Sequence, residues 1–339
     1  MKLFKITLSI FTLSLSCNSL LFSQECPVVK ICNEPSEGCA SKELLTDFDC
    51  NEDYETFVIK GVGYAPTPIG KFIGGEFDAK GNPIWSALCS YVGSDELSHG
   101  EKRFIIPGTT ACNGGNCFQC APNGSHYYND LAILNRDFRL IQQMNANTIR
   151  TWGKVTPRLL EKANEYGLKV IAGFWISHET DFVRGDLNWI RNEFIDYVRQ
   201  YKDNPAILMW GLSNENNTAF CSWAPNDQAC VNQQATAFYN FVNGLAATTK
   251  QMFPNVQPIM IVTAEMNNLK EHASLLSNID ILGINSYRGK TFGNLFQQFQ
   301  QTFPNKPMLL TEFGTDAFIT DPNQPNETGN YRFTPLFNT

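Results

Sequence analysis

Two glutamates stand where apolar runs stop. AILMWGLSNENN at 206–217 is an unbroken apolar stretch that ends in a cluster of amides around one carboxylate, Glu215, and a second run over 307–310 ends in the same way at TEFG, with Glu312. Continuous apolar runs mark parallel strands buried on both faces, so each acid is expected at the carboxyl end of a strand, where barrel enzymes assemble their active sites. Two carboxylates facing each other there are the equipment for cleaving a glycosidic bond: one protonates the leaving oxygen, the other attacks or activates water. At a separation of about 5 Å the second acts as nucleophile and configuration is retained. The two roles need opposite protonation states, Glu215 acidic and Glu312 ionised. Arg150, ending an earlier strand, could hold Glu312 ionised through a charge-assisted hydrogen bond, and Tyr287 could donate to it as well. Asn214 is placed to bond a sugar hydroxyl.

Elements to position these residues can be read along the chain. Strands are expected at 57–63, 147–150, 168–175, 206–215, 258–262, 279–284 and 307–310. Between them, Leu131, Leu134, Phe138, Ile141 and Met144 recur at helical spacing within 128–144, as do Ile190, Phe194, Tyr197 and Val198 within 186–201. Further helices are expected at 157–166, opened by Thr156-Pro157 and closed by Gly167, and at 232–252, 269–276 and 292–303. Seven strands alternating with helices point to an α/β fold, a (β/α)8 TIM-type barrel, over an open doubly wound sheet. The eighth strand is not evident: 331–337, with three aromatics and Pro335, is a poor candidate, so the chain reads as C-terminally incomplete or closed by another element.

The chain has 339 residues, 43% hydrophobic, with a net charge of −7 and a pI near 5.2. That acidity argues against nucleic acid and suits a neutral polymer. Residues 1–24 carry Lys2 and Lys5 before an apolar, hydroxyl-rich stretch and read as a secretory signal, with a membrane anchor as the alternative; Cys17 leaves lipid attachment open. The expected location is secreted or extracellular, with a periplasmic or lipid-anchored surface protein as variants. The remaining ten cysteines imply disulfides. The candidates are Cys221 with Cys230, stapling the loop after Glu215, and Cys89, Cys112, Cys117 and Cys120 within a Gly-, Pro- and Cys-rich insertion at 64–127. Residues 25–55 read as a Cys-rich lead-in and 56–339 as the barrel. The four histidines, His99, His126, His178 and His272, are far apart, so no metal is expected, and no cofactor fingerprint is present.

The motifs also carry a resemblance. NPAILMWGLSNE at 204–215 resembles the acid/base strand of clan A glycoside hydrolases, most nearly the family 2 barrel, and KPMLLTEFG at 306–314 resembles the same clan's nucleophile strand. GINSY at 283–287 and NTIRTW at 147–152 are similar to its sixth and second strands, so the similarity covers about 57–318 with the motifs in order. It implies Glu215 as acid/base, Glu312 as nucleophile, and Arg150, Asn214 and Tyr287 as supports. Ser213 stands where family 2 commonly has Gly, and Asn285 where family 5 usually has His. FVIKGVGY at 57–64 also resembles the family 72 β-1,3-glucan transglycosidases. Tyr64, Trp152 and Trp175 join the candidate substrate-binding residues, Trp223 is a further stacking candidate, and Trp210 reads as core. His178 and Glu179 are at the same rim. The expected function is a retaining β-glycosidase acting on a polysaccharide or oligosaccharide; the alternatives are a β-1,3-glucan transglycosidase or a catalytically inactive carbohydrate-binding barrel.

Overall fold

The computed structural model describes residues 28–32, 42–49, 51, 53–66, 130–178, 180–221, 224, 226–289 and 291–314, together with the backbone of short strands within 71–120. Seven parallel strands form one sheet: β1 (Gly61–Gly63), β2 (Thr148–Arg150), β3 (Lys169–Phe174), β4 (Ile207–Leu212), β5 (Ile259–Ala264), β6 (Ile281–Ser286) and β7 (Met308–Phe313). Each pairs with its sequence neighbour, so β1 and β7 are the two edges. Helices α1 (Leu131–Gln143), α2 (Pro157–Glu165), α3 (Asn188–Tyr201), α4 (Gln228–Met252) and α5 (Leu295–Thr302) connect them, and a 3-10 helix, Lys270–Leu275, joins β5 to β6.

The sheet is curled. In a flat sheet β2 and β7 would lie five strand spacings apart, about 24 Å at the usual interstrand distance, yet Arg150 of β2 bonds Glu312 of β7 at 2.7 Å. Such a contact requires the sheet to wrap round on itself, a nearly closed barrel of seven strands with no eighth among the described residues. Residues 331–337 lie outside those residues, as do 1–24.

Strand alternation divides the core in two. Val170, Ala172 and Phe174 of β3, with Ile259 and Ile261 of β5, face the helices and join the larger cluster, which includes Leu134, Phe138, Phe194, Trp210 and Phe238. Ile171, Met209, Met260, Val262 and Ile281 point the other way and form the barrel's interior. Both faces are therefore apolar, which is why the strands read as unbroken runs. Beneath the interior lies a small antiparallel sheet, Val28–Cys32, Glu43–Asp47 and Glu55–Thr56, whose Val29, Ile31 and Leu44 pack against it with Phe57 and Ile59. Lys169, at the start of β3, donates to the Pro205 carbonyl at 2.9 Å and sits 3.4 Å from the Phe48 ring centroid.

Several expected boundaries move. The strand expected at 57–63 is paired only over Gly61–Gly63, because Phe57 and Ile59 leave the ladder to pack into the floor. The helix expected at 269–276 is a 3-10 helix. In α1 the apolar stripe is buried at Leu134, Phe138 and Ile141, but Leu131 and Met144 at its ends face solvent; all four residues named on α3 are buried. In the 64–127 insertion the backbone forms two three-stranded antiparallel sheets, with Cys120 opposite Cys89 and Cys117 opposite Cys112 in register.

Candidate active site

Glu312 lies near the carboxyl end of β7 with three donors on its carboxylate. Oε1 accepts from Arg150 Nη1 and Trp152 Nε1, each at 2.7 Å, and Oε2 accepts from the Tyr287 hydroxyl at 2.7 Å. Arg150 is buried, and burial pulls its pKa down against the opposing pull of Glu312 and Glu215; a guanidinium stays charged even so. The Tyr287 hydroxyl is raised well above its ordinary value by burial first, then by its bond to Glu312 and the charge of both glutamates. It therefore remains a donor through the neutral range. A cleft of about 590 Å³ opens beside this cluster, between Gly61–Gly63 of β1 and Met308–Phe313 of β7.

Glu215 is tied to Glu312 through a chain of polar contacts. Its Oε1 accepts from Asn285 Nδ2 at 2.8 Å, and the same amide reaches Asn214 Oδ1 at 3.2 Å. Asn214 Oδ1 also accepts from Arg150 Nη2 at 2.7 Å, so one guanidinium spans both halves of the site. Asn285 is itself oriented by Thr311, whose hydroxyl donates to its Oδ1 at 2.7 Å. In register Asn285 lies beside Glu312.

The backbone carrying Glu215 is held in an unusual shape. Ser213 and Glu215 both have left-handed conformations, φ 63° and 55°, a region that favours glycine. The Ser213 N–H donates to the Phe174 carbonyl of β3 and the Glu215 N–H to the Val262 carbonyl of β5, so the segment is pinned to both neighbouring strands. The amides beyond it are ties to the scaffold: Asn216 Nδ2 donates to the Ile176 and Ser177 carbonyls, and Asn217 bridges Ala264 and Asn267. Asn216-Asn217-Thr218 has the spacing of a glycosylation signal, but Asn216 is buried and offers no acceptor in the folded chain. A disulfide joins Cys221 to Cys230, as expected.

The structure thus brings Glu215, Glu312, Arg150, Asn214, Tyr287 and Trp152 together. Tyr64 is not among them: it is buried against Phe138, ring centroids 5.2 Å apart, and its hydroxyl donates to Asp137 at 3.1 Å. The substrate-binding role expected for Tyr64 is therefore corrected to a core role, since its ring packs outside the barrel against α1. Trp175 stacks on His178 with centroids 5.1 Å apart, and His178 Nε2 reaches the Asn214 carbonyl at 2.5 Å. Trp210 is fully buried. Trp223 and Glu179 lie outside the described residues. Sequence reasoning did not assign Asn285 and Thr311 to the site, although both stand at strand ends, and took Trp152 for a sugar platform rather than a partner of Glu312. Among the described residues no cluster of His, Cys, Asp or Glu could hold a metal, and no helix is long and apolar enough to cross a membrane.

No family model matches the chain. It is 23% identical over 206 residues to a β-glucuronidase of Sus scrofa, covering 56% of this chain and 28% of that protein. It is 24% identical over 223 residues to a β-galactosidase of Bacteroides ovatus, covering 56% and 25%. A solved β-glucuronidase of Bacteroides uniformis aligns over 54% of this chain and 22% of its own, with 22% identity and a TM-score of 0.45. The chain thus spans little more than a quarter of the length of these curated relatives. In sequence it resembles the family 2 glycoside hydrolases, at low identity over about half its length.

Proposed function

We propose that the protein is a retaining β-glycosidase acting on a β-linked glycan, with Glu312 as nucleophile and Glu215 as acid/base. The observation that carries this reading is one guanidinium, Arg150, bonded both to Glu312 and to the Asn214 beside Glu215. In the first step a Glu312 oxygen bonds to the anomeric carbon while the bond to the leaving oxygen breaks. That oxygen keeps the electron pair and takes the proton of Glu215. In the second, Glu215 accepts a proton from water as the water oxygen attacks the anomeric carbon and releases Glu312. Arg150 and Tyr287 hold the nucleophile oriented before the attack through their hydrogen bonds to it. The names of the sequence relatives make glucuronides and galactosides the first glycones to try. Export belongs to the same proposal, supported by the basic and apolar pattern of residues 1–24 and by the disulfide at Cys221.

Intact-mass labelling with activated 2-deoxy-2-fluoro β-glycosides, including the glucuronide, galactoside and glucoside, tests it. A stoichiometric adduct on wild type and none on Glu312→Ala is expected. Folded protein that takes no adduct from any of them refutes the reading. Glu215→Ala should lose activity on poor leaving groups and keep part of it on activated aryl glycosides.

A further inference from the structure

We infer that Trp152 is a positioning residue for the nucleophile, and that it selects Oε2 of Glu312 as the attacking oxygen. The inference rests on the glycosidase reading and goes one atom deeper. Each carboxylate oxygen can accept about two hydrogen bonds. Oε1 is filled by Arg150 Nη1 and Trp152 Nε1, while Oε2 carries only the Tyr287 hydroxyl. The free lone pair is on Oε2. Removing the indole N–H would leave both oxygens with one open position and the carboxylate free to rock about its Arg150 contact.

The surroundings are cut to hold the indole there. Gly63 of β1 has no side chain, and a Cβ on it would lie 2.8 Å from Trp152 Cη2. Gly173 of β3 runs so close to the Trp152 backbone that a Cβ would come within 2.7 Å of the Trp152 carbonyl oxygen. The Arg150 guanidinium lies 5.3 Å from the indole centroid, a cation–π distance. Gly173 thus sets the backbone that carries the indole, Gly63 and the guanidinium leave the ring its place, and the ring in turn fixes Oε1. In the attack, Oε2 forms the bond to the anomeric carbon as the leaving oxygen departs with its electron pair and the Glu215 proton.

Trp152→Phe keeps most of the ring and removes the donor. Adduct formation with an accepted 2-fluoro glycoside should slow on the order of 10- to 100-fold, the loss that a misplaced reacting group brings, with substrate affinity within a few-fold of wild type. Gly63→Ala, which displaces the indole from β1, should slow the same step in the same sense. A readout that needs no substrate accompanies these: among the indole N–H signals of the six tryptophans, that of Trp152, assigned through Trp152→Phe, should move upfield in Glu312→Ala. A Trp152→Phe protein that labels at the wild-type rate overturns the inference, as does an unshifted Trp152 signal. If wild type takes no label but the signal shifts, the glycosidase reading fails while the Trp152 contact stands.

Discussion

Replacing Ser213 by glycine should stabilise the protein, even though the change lies one residue from the site. Ser213 sits at φ 63°, where a residue with a Cβ pays about 1–2 kcal/mol. Its hydroxyl is buried with no hydrogen-bond partner, a further cost of about 1–3 kcal/mol. Glycine removes both terms and gives back about 0.5–1 kcal/mol through the greater freedom of its unfolded chain. The net gain is about 2 kcal/mol, visible as a rise of about 3–4 °C in melting temperature at an unfolding entropy of about 2.1 cal/mol/K per residue. Urea unfolding of wild type, Ser213→Ala and Ser213→Gly resolves the parts. Alanine removes only the orphaned hydroxyl and should gain about 1 kcal/mol, with glycine beyond it. Alanine equal to or better than glycine would refute the backbone term, and a destabilised Ser213→Ala would mean that the hydroxyl has a partner. Hydrolytic activity should survive in Ser213→Gly, because the N–H groups of Ser213 and Glu215 still anchor the segment to β3 and β5.

Gly173→Ala should act in the opposite direction: its Cβ would lie 2.1 Å from the Thr151 carbonyl oxygen, forcing the segment after β2 outward at a cost of about 3 kcal/mol and displacing Trp152. Urea midpoints and labelling rates check both effects, and an unchanged midpoint would contradict the close approach. Lys169 is pulled down to about 8 by burial, so the folded state disfavours its charge below that pH and loses the penalty between 8 and its ordinary value of 10.5. Wild type should gain stability relative to Lys169→Met as pH rises through that window, as read from urea unfolding at each pH; a constant difference would rule the effect out. Replacing both cysteines of the Cys221–Cys230 link, which closes a loop of nine residues, should cost about 2.6 kcal/mol by loop entropy. Thermal unfolding of the double Cys→Ala protein should fall accordingly, and an unchanged melting temperature would show that the link restrains nothing.

Much of the barrel was legible because its strands are apolar on both faces. β4 and β7 announced themselves as runs ending in acids, and the pairing of β6 with β7 follows from their succession along the chain. β1 was overestimated because a run such as FVIKGVG does not tell a paired strand from a lead-in that packs beneath it; Phe57 and Ile59 went to the floor. Arg150 and Tyr287 were found because a charge and a hydroxyl at strand ends have few partners other than a carboxylate. The bond from Trp152 to Glu312 was not foreseen, since the direction of the indole depends on Gly63 and Gly173, two glycines on other strands whose closeness no spacing reveals. Tyr64 failed for a similar reason: one residue beyond β1, its ring turns outward to Phe138 and its hydroxyl finds Asp137. The left-handed turn at Ser213 leaves a trace only in the resemblance, as the position where glycine is common.

The small sheet beneath the barrel has a consequence for the order of folding. Val29 and Leu44 rest on a surface assembled from Ile171, Met209, Met260 and Ile281, residues far along the chain and drawn from four different strands. During synthesis the floor therefore emerges before the surface it covers exists. Contacts of such long sequence separation form slowly, and segments made first must wait with apolar faces uncovered. The floor can dock fully only after β6 has joined the sheet, so its strands are made before the barrel strands they cover and must wait for them, and the nascent chain carries their apolar faces uncovered in that interval.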